Sequence, residues 1–265
     1  MSWIALALGA AVGLVLGLLG GGGSVLAIPL LTYGLGLEAK PAVATSLFVV
    51  GVAALVGSGF HARSGRVHFK VALAFGVLGG LGGLLGSQLA RLIPGTAQLV
   101  LFAAIMLFAG VRMLRHEPSE EGRDLGEEPA HEAAAATPRA SGWAIAAAAL
   151  ATGVLTGVVG VGGGFLIVPA LVLLVQLPMR DAIGTSLLVI VLNAVGGSLG
   201  YLAYVSLDLS IALPFALGAG ALALVGGALS QRLSPRWLQV VFAVGILVMG
   251  VGMLLKEGLA LLTPS

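Results

Sequence analysis

The feature that most limits how this chain can fold is a glycine run set inside apolar sequence, and it occurs twice. Residues 17–29 read GLLGGGGSVLAIP, and residues 157–169 read GVVGVGGGFLIVP. Gly17, Gly20, Gly22, Gly23 and Pro29 return as Gly157, Gly160, Gly162, Gly163 and Pro169. Glycine lets the backbone leave helical geometry without a steric penalty. At membrane depth such backbone is tolerated only where protein buries it or where it lines a wet cavity. Matched breaks in two halves of a membrane chain point to a transporter's binding site.

That the runs lie at membrane depth follows from composition. Of 265 residues, 58% are hydrophobic and 9% charged, against about 25% charged in a soluble domain. A soluble fold has no means of hiding this much apolar surface, so the chain reads as an all-α integral membrane protein in a lipid bilayer. The 42 glycines suit closely packed membrane helices. The first apolar run lacks a basic leader and has a duplicate around Trp143, so it reads as a retained span. The net charge of +2 comes without a basic, aromatic-interleaved stripe, so no nucleic-acid partner is expected. With no cysteines, thiol chemistry and Cys-based metal sites are excluded, and no cofactor is expected.

Apolar run lengths predict four spans per half. In the first half these lie near 3–19, 42–60, 71–90 and 99–114, with a half-helix from Val25 to Leu35. Residues 61–70, HARSGRVHFK, read as a basic loop in which His61 and His68 are solvated. The second half repeats the first without a gap: Trp3 matches Trp143, Thr45-Ser46-Leu47 matches Thr185-Ser186-Leu187, and Gly57-Ser58 matches Gly197-Ser198. Roughly a third of the paired positions are identical. The chain thus divides into a first transmembrane repeat (1–115), an acidic flexible linker (116–141) and a second transmembrane repeat (142–265). The expected fold is about eight transmembrane helices in two homologous four-span repeats, each with a glycine-broken re-entrant half-helix.

An even number of crossings per half predicts parallel repeats; if the glycine-broken segment counts as a further pass, the repeats invert. Under the eight-span scheme Lys40, Arg91, Arg180, Arg232 and Arg236 fall on one side and the other eight Lys and Arg residues on the opposite one. This bias predicts termini and linker in the cytoplasm. Tyr201, Tyr204, Trp3, Trp143 and Trp237 lie near predicted span ends and read as interfacial anchors.

The candidate site is built from the breaks. A half-helix starting after Gly23 or Gly163 presents free backbone N–H groups and a positive dipole end, which suits a small anion. The predicted spans hold no charged residue near their middles, so the backbone is the main source of positive potential. Gly21, Gly22, Gly23 and Ser24 in the first half face Gly162, Gly163 and Gly164 in the second. Thr45, Ser46, Thr185 and Ser186 offer hydroxyl donors or, equally, bond back to their own helices. Asn193 lies mid-span where its counterpart is Ala53, and a lone amide in hydrocarbon is costly. Tight helix packing is the competing role for the glycines.

With both glycine motifs and AVATS (Ala42–Ser46) and AIGTS (Ala182–Ser186) in view, the chain resembles the TauE/SafE family of membrane transporters over essentially its whole length. The short loop after the second span and the glycine-rich third span, GVLGGLGGLLG, complete the likeness. The resemblance implies a secondary transporter, an exporter, in the bacterial cytoplasmic membrane. It implies a small anionic substrate such as sulfite, a sulfonate or a related sulfur oxyanion. An anion channel, or the same fold with a non-sulfur substrate, is the alternative, and a homo-oligomer is compatible with either. An intramembrane enzyme is not expected, because no predicted span holds Asp, Glu or His near its middle.

Overall fold

The computed structural model describes residues 2–19, 22–63, 65, 67–115, 141–230 and 235–262. The linker proposed at 116–141 lies outside them except for Ser141. Every element among the described residues is helical. Helix α1 spans Ser2–Leu19. A short composite helix follows, with a 3-10 turn at Gly22–Leu26, an α-helical turn at Ala27–Pro29 (α2) and a π turn at Leu30–Gly34. Then come α3 (Ala39–Arg63), α4 (Phe69–Leu92), α5 (Gly95–Arg115), α6 (Gly142–Val159), α7 (Gly164–Leu174), α8 (Met179–Leu202), α9 (Leu209–Ser230) and α10 (Pro235–Leu262).

Six of these are long and apolar enough to cross a membrane: α3, α4, α5, α6, α8 and α9. The sequence led to an expectation of eight. The apolar stretches Ser2–Leu18 of α1 and Gly23–Gly34 fall short of that length. Trp3 and Trp143 are exposed at the starts of α1 and α6, as expected of anchors. Tyr201 is not an anchor: it is fully buried. His61 lies inside α3 rather than in a solvated loop, and the side chain of Trp237 is outside what the structure describes.

Packing is dominated by contacts between the halves. The strongest neighbours are α1 with α9, α4 with α6, α4 with α8, α5 with α10, α3 with α8, and α3 with α9. Glycines make the first two pairs tight. Gly9, Gly13 and Gly17 press on the backbone of Phe215, Ala219 and Ala223, and Gly153 and Gly157 press on Gly79 and Gly83. A side chain on any of them would run into a neighbouring main chain, which is how small residues let membrane helices approach.

These contacts fix directions. Residue numbers rise together along α1 and α9, and along α4 and α6, so those pairs run parallel. Between α3 and α8 they run opposite, with Gly51 beside Ala194, Gly57 beside Leu187, and Leu47 beside Gly197. The same holds for α5 and α10, where Gly110 meets Leu247 and Gly250 meets Leu107. Helices at corresponding positions of the two halves therefore point in opposite directions. The expected parallel relation does not hold: α6 and α8 both run in the direction of α4, so α7 returns the chain between them.

One end of the bundle carries His68, Asp181, Arg115 and Gly142. His68 Nε2 lies 2.9 Å from Asp181 Oδ2, so His68 is hydrogen-bonded to a carboxylate rather than merely solvated. The other end carries Tyr33, whose hydroxyl donates to Glu257 Oε1 at 3.0 Å, and Lys40, whose Nζ donates to Arg91 O at 3.1 Å. The residues flanking the linker thus sit at one end, and the end of α10 at the other. This departs from the expectation that linker and termini share a side. At that second end Asp208, ahead of α9, accepts from the Ser210 hydroxyl and backbone N–H; these bonds hold its carboxyl below the usual carboxylate range.

Candidate functional site at the glycine breaks

The second break is fully described. Helix α6 stops at Gly160, which takes φ +77° and returns its N–H to Thr156 O. Val161 and Gly162 cross the gap, and Gly163, at φ +69°, opens α7 at Gly164. Left-handed backbone at both ends of the gap is what glycine supplies most cheaply. Gly162 sits in the bundle interior between two side chains at matching positions of the halves, Val50 and Ile190. A Cβ there would come within 2.9 Å of Ile190 Cγ2 and 3.8 Å of Ser24 Cβ. Ser24 belongs to the first break, so the two breaks meet through Ser24 and Gly162.

The first break is built differently. Gly21 lies outside the described residues, and Gly22 begins a 3-10 turn rather than an α-helix. Gly23 is buried, and a Cβ there would strike the backbone of Leu16 and Val15. Its role is close packing against α1, the competing role weighed from sequence. Ser24 beside it is fully buried.

The hydroxyls diverge between the copies. Ser46 Oγ donates to Gly160 O at 2.9 Å, so α3 clamps the carbonyl where α6 ends. Ser186, its counterpart, bonds back to Ile183 O in its own helix at 2.8 Å. Thr45 and Thr185 are both buried. Thr185 Oγ1 accepts the His68 backbone N–H at 3.1 Å, so it ties α8 to the start of α4 rather than facing the breaks. Asn193 is fully buried on α8 against Gly79 and Gly83 of α4. Neither of its amide atoms has a partner. It stands one turn beyond Ile190, the residue that touches Gly162.

Sequence reasoning missed two residues. Gln98, at the start of α5, is fully buried; its Nε2 donates to Val158 O at 2.6 Å and to the Tyr201 hydroxyl at 2.7 Å. It thereby satisfies a carbonyl in the last turn of α6, where the helix offers no donor. Tyr204 continues this polar cluster, donating to Ser87 O at 2.7 Å, with the Arg91 guanidinium 5.9 Å from its ring centre. The second missed residue is Thr156, buried with an unpartnered Oγ1. It lines a small cavity with Thr152, Gly163 and Leu166. The signal for both lay in the sequence: Thr156 matches Leu16 and Gln98 matches Leu238, the same polar-for-apolar difference that singled out Asn193.

The arrangement thus offers helix-start N–H groups, one unpartnered hydroxyl and one unpartnered amide in an apolar interior. Neutral donors in a low dielectric suit an anion of a few atoms. Comparison with known proteins places the chain in a family. The family model for "Sulfite exporter TauE/SafE" matches residues 5–253. The chain belongs to the TauE/SafE family. A "Probable membrane transporter protein" of Xylella fastidiosa (strain 9a5c) is 36% identical over 230 residues, covering 86% of this chain and 83% of that one. "Probable membrane transporter protein YdhB" of Bacillus subtilis (strain 168) is 30% identical, covering 72% of this chain and 74% of its own length. "Probable membrane transporter protein MJ0441" of Methanocaldococcus jannaschii is 27% identical over 92% of this chain and 93% of its own. No solved structure matches. As a member of the TauE/SafE family the chain is a multi-pass membrane transporter, and family and relatives point away from an enzyme.

Proposed function

We propose that this TauE/SafE protein is a secondary transporter that exports a small anion, sulfite or a sulfonate, held where the two glycine breaks meet. The carrying observation is the approach of the two breaks, with Ser24 Cβ 3.8 Å from where a Cβ on Gly162 would stand, in an interior without charged side chains among its neighbours. Substrate charge is then offset by backbone N–H groups and hydroxyls, which bind without trapping. The family's printed name supports the sulfur anion and the outward direction.

In this reading α1 and α10 join the six as full crossings, and each glycine-started segment carries the chain back across the bilayer, so that each half makes five passes. The halves form an inverted repeat, with the site near the midplane. The helix directions also revise the charge count. Among the described residues, Arg63, Lys70, Arg112, Arg115, Arg180 and Arg236 lie in segments at the linker's end of the bundle, and Lys40, Arg91 and Lys256 at the other. By the positive-inside rule that end is cytoplasmic, in the bacterial inner membrane, and both termini are outside.

Sulfite flux in proteoliposomes tests the function. Saturable uptake accelerated by sulfite preloaded on the far side is expected. Flux that never saturates and shows no counterflow would identify a channel, and inertness to sulfite and sulfonates alongside flux of another anion would reassign the substrate. Reporter fusions test orientation: one in the linker reads cytoplasmic and one at the C-terminus reads periplasmic. Identical readings would overturn the inverted arrangement.

A further inference from the structure

We propose that the Thr156 hydroxyl and the opening turn of α7 form the seat for one oxygen of the transported oxyanion, and that the chain has one such seat rather than two. The proposal rests on the anion-transport reading and narrows it to a residue that neither the glycine motif nor the Thr-Ser pairs contain.

Three independent observations converge there. First, Gly163 opens α7, an 11-residue helix whose first turn offers N–H groups with no carbonyl one turn earlier. Leu166 and Ile167 already donate to Gly163 O, which leaves the N–H of Gly164 at the front. Second, Thr156 Oγ1 is the nearest atom to the open side of Gly163, 2.6 Å from where a Cβ would stand. That hydroxyl is 1% exposed and unpartnered. A helical threonine ordinarily bonds back to its own backbone, as Thr152 does to Ala149 O at 2.9 Å. Third, the two residues line a cavity of about 10 Å³, walled otherwise by Ile105, Leu155, Val159, Val161 and Leu166 and by Thr152, whose hydroxyl is spent on Ala149 O. That volume accepts one oxygen-sized atom.

The donors specify the guest. A hydroxyl and a helix-start N–H both donate, and the apolar walls strengthen a charge-assisted bond. An oxyanion with a projecting oxygen fits; a cation does not. In the first half the matching residue is Leu16, whose backbone closes on Gly23. Position 16 carries no hydroxyl, so a seat of this build occurs once among the described residues.

Thr156→Val removes the hydroxyl and keeps the shape; Thr156→Ser keeps the hydroxyl. Sulfite binding by the purified full-length protein and sulfite flux in proteoliposomes are measured for all three forms, with melting temperature in the absence of anion. Wild type should bind about one sulfite per chain. Thr156→Val should weaken binding about tenfold, in line with loss of a hydrogen bond to a charge, and raise KM in step. Thr156→Ser should stay within about threefold of wild type. The anion-free melting temperature of Thr156→Val should hold or rise, because an unpartnered buried hydroxyl is gone. If wild type transports sulfite and Thr156→Val binds and transports it equally well, the seat is elsewhere and the transport reading stands. A fall in anion-free stability with unchanged sulfite affinity would make Thr156 purely structural. If wild type neither binds nor moves sulfite, sulfonates or other small anions, the transport reading falls and takes the seat with it.

Discussion

The two glycine breaks share a sequence pattern and differ in what surrounds them. At the first, Gly23 is pressed onto the backbone of Leu16 and Val15, and the chain turns in a tight 3-10 form. At the second, Gly160 and Gly163 hold left-handed backbone, Ser46 and Gln98 secure the end of α6, and Thr156 points an unused hydroxyl at a cavity. Duplication supplied two copies of the break. One has become a packing joint and the other has gathered the polar groups. A fold with internal pseudo-symmetry need not use both copies of its site.

Exchanging matching residues tests this division, and the largest effects are expected at the glycines. Gly23→Ala should leave several-fold less folded protein in detergent, since a main chain cannot rotate away as a side chain can. Gly163→Ala has a side chain as its nearest obstacle, and its left-handed backbone costs about 1–2 kcal/mol for a residue with a Cβ. It should fold in near-normal yield and lose at least tenfold in sulfite flux. Equal loss of fold in both variants would erase the distinction. The control needs choosing with the packing in view. From sequence, Gly82→Ala looks tolerant, but a Cβ at Gly82 would meet the backbone of Leu150 and Val154 on α6. Gly59, with nothing within 4 Å, is the residue to change, and Gly59→Ala should be silent in yield and flux.

A smaller effect is expected at Gln98. Gln98→Leu copies the residue found at the matching position 238 and removes a donor from Val158 O. It should cost about 1–3 kcal/mol, seen as a drop of several degrees in melting temperature, with flux falling a few-fold. Unchanged stability would mean that Tyr201, whose hydroxyl lies 3.5 Å from Val158 O, suffices alone.

The smallest contrast is between the two serines of the Thr-Ser pairs. Ser46→Ala loses a bond between the halves and should cost about 1 kcal/mol; Ser186→Ala loses only a bond within its own helix and should cost less than half of that. Equal costs would show that the clamp on Gly160 adds nothing to stability.

Much of this was legible in the chain. The apolar runs located the helices, the glycine blocks located the breaks, and the Asn193/Ala53 mismatch flagged a buried amide. What periodicity does not encode is which helices touch. The α1–α9 and α4–α6 contacts join residues far apart in the chain, and only they show that Gly82 has no room. Counting passes likewise depends on whether a half-helix reverses the chain, which the opposite run of Gly51 beside Ala194 and Gly57 beside Leu187 bears on and composition does not. Tyr201 was read from its nearness to a span end as an anchor, yet Gln98 and Val158 draw it inside. Thr156 and Gln98 passed unnoticed because hydroxyls and amides are common near helix ends; comparing the copies position by position exposes both.

The packing of α1 on α9 also sets a timetable for biosynthesis. The glycine face of α1 is made early, and its partner is translated about 200 residues later, on the order of 10–40 s at ordinary ribosomal speed. Helix formation itself takes microseconds. For that interval the groove of Gly9, Gly13 and Gly17 has only lipid or the insertion machinery to fill it. Helix α1 is thus made long before its final neighbour, and it is during this wait that a nascent chain is most exposed to quality control.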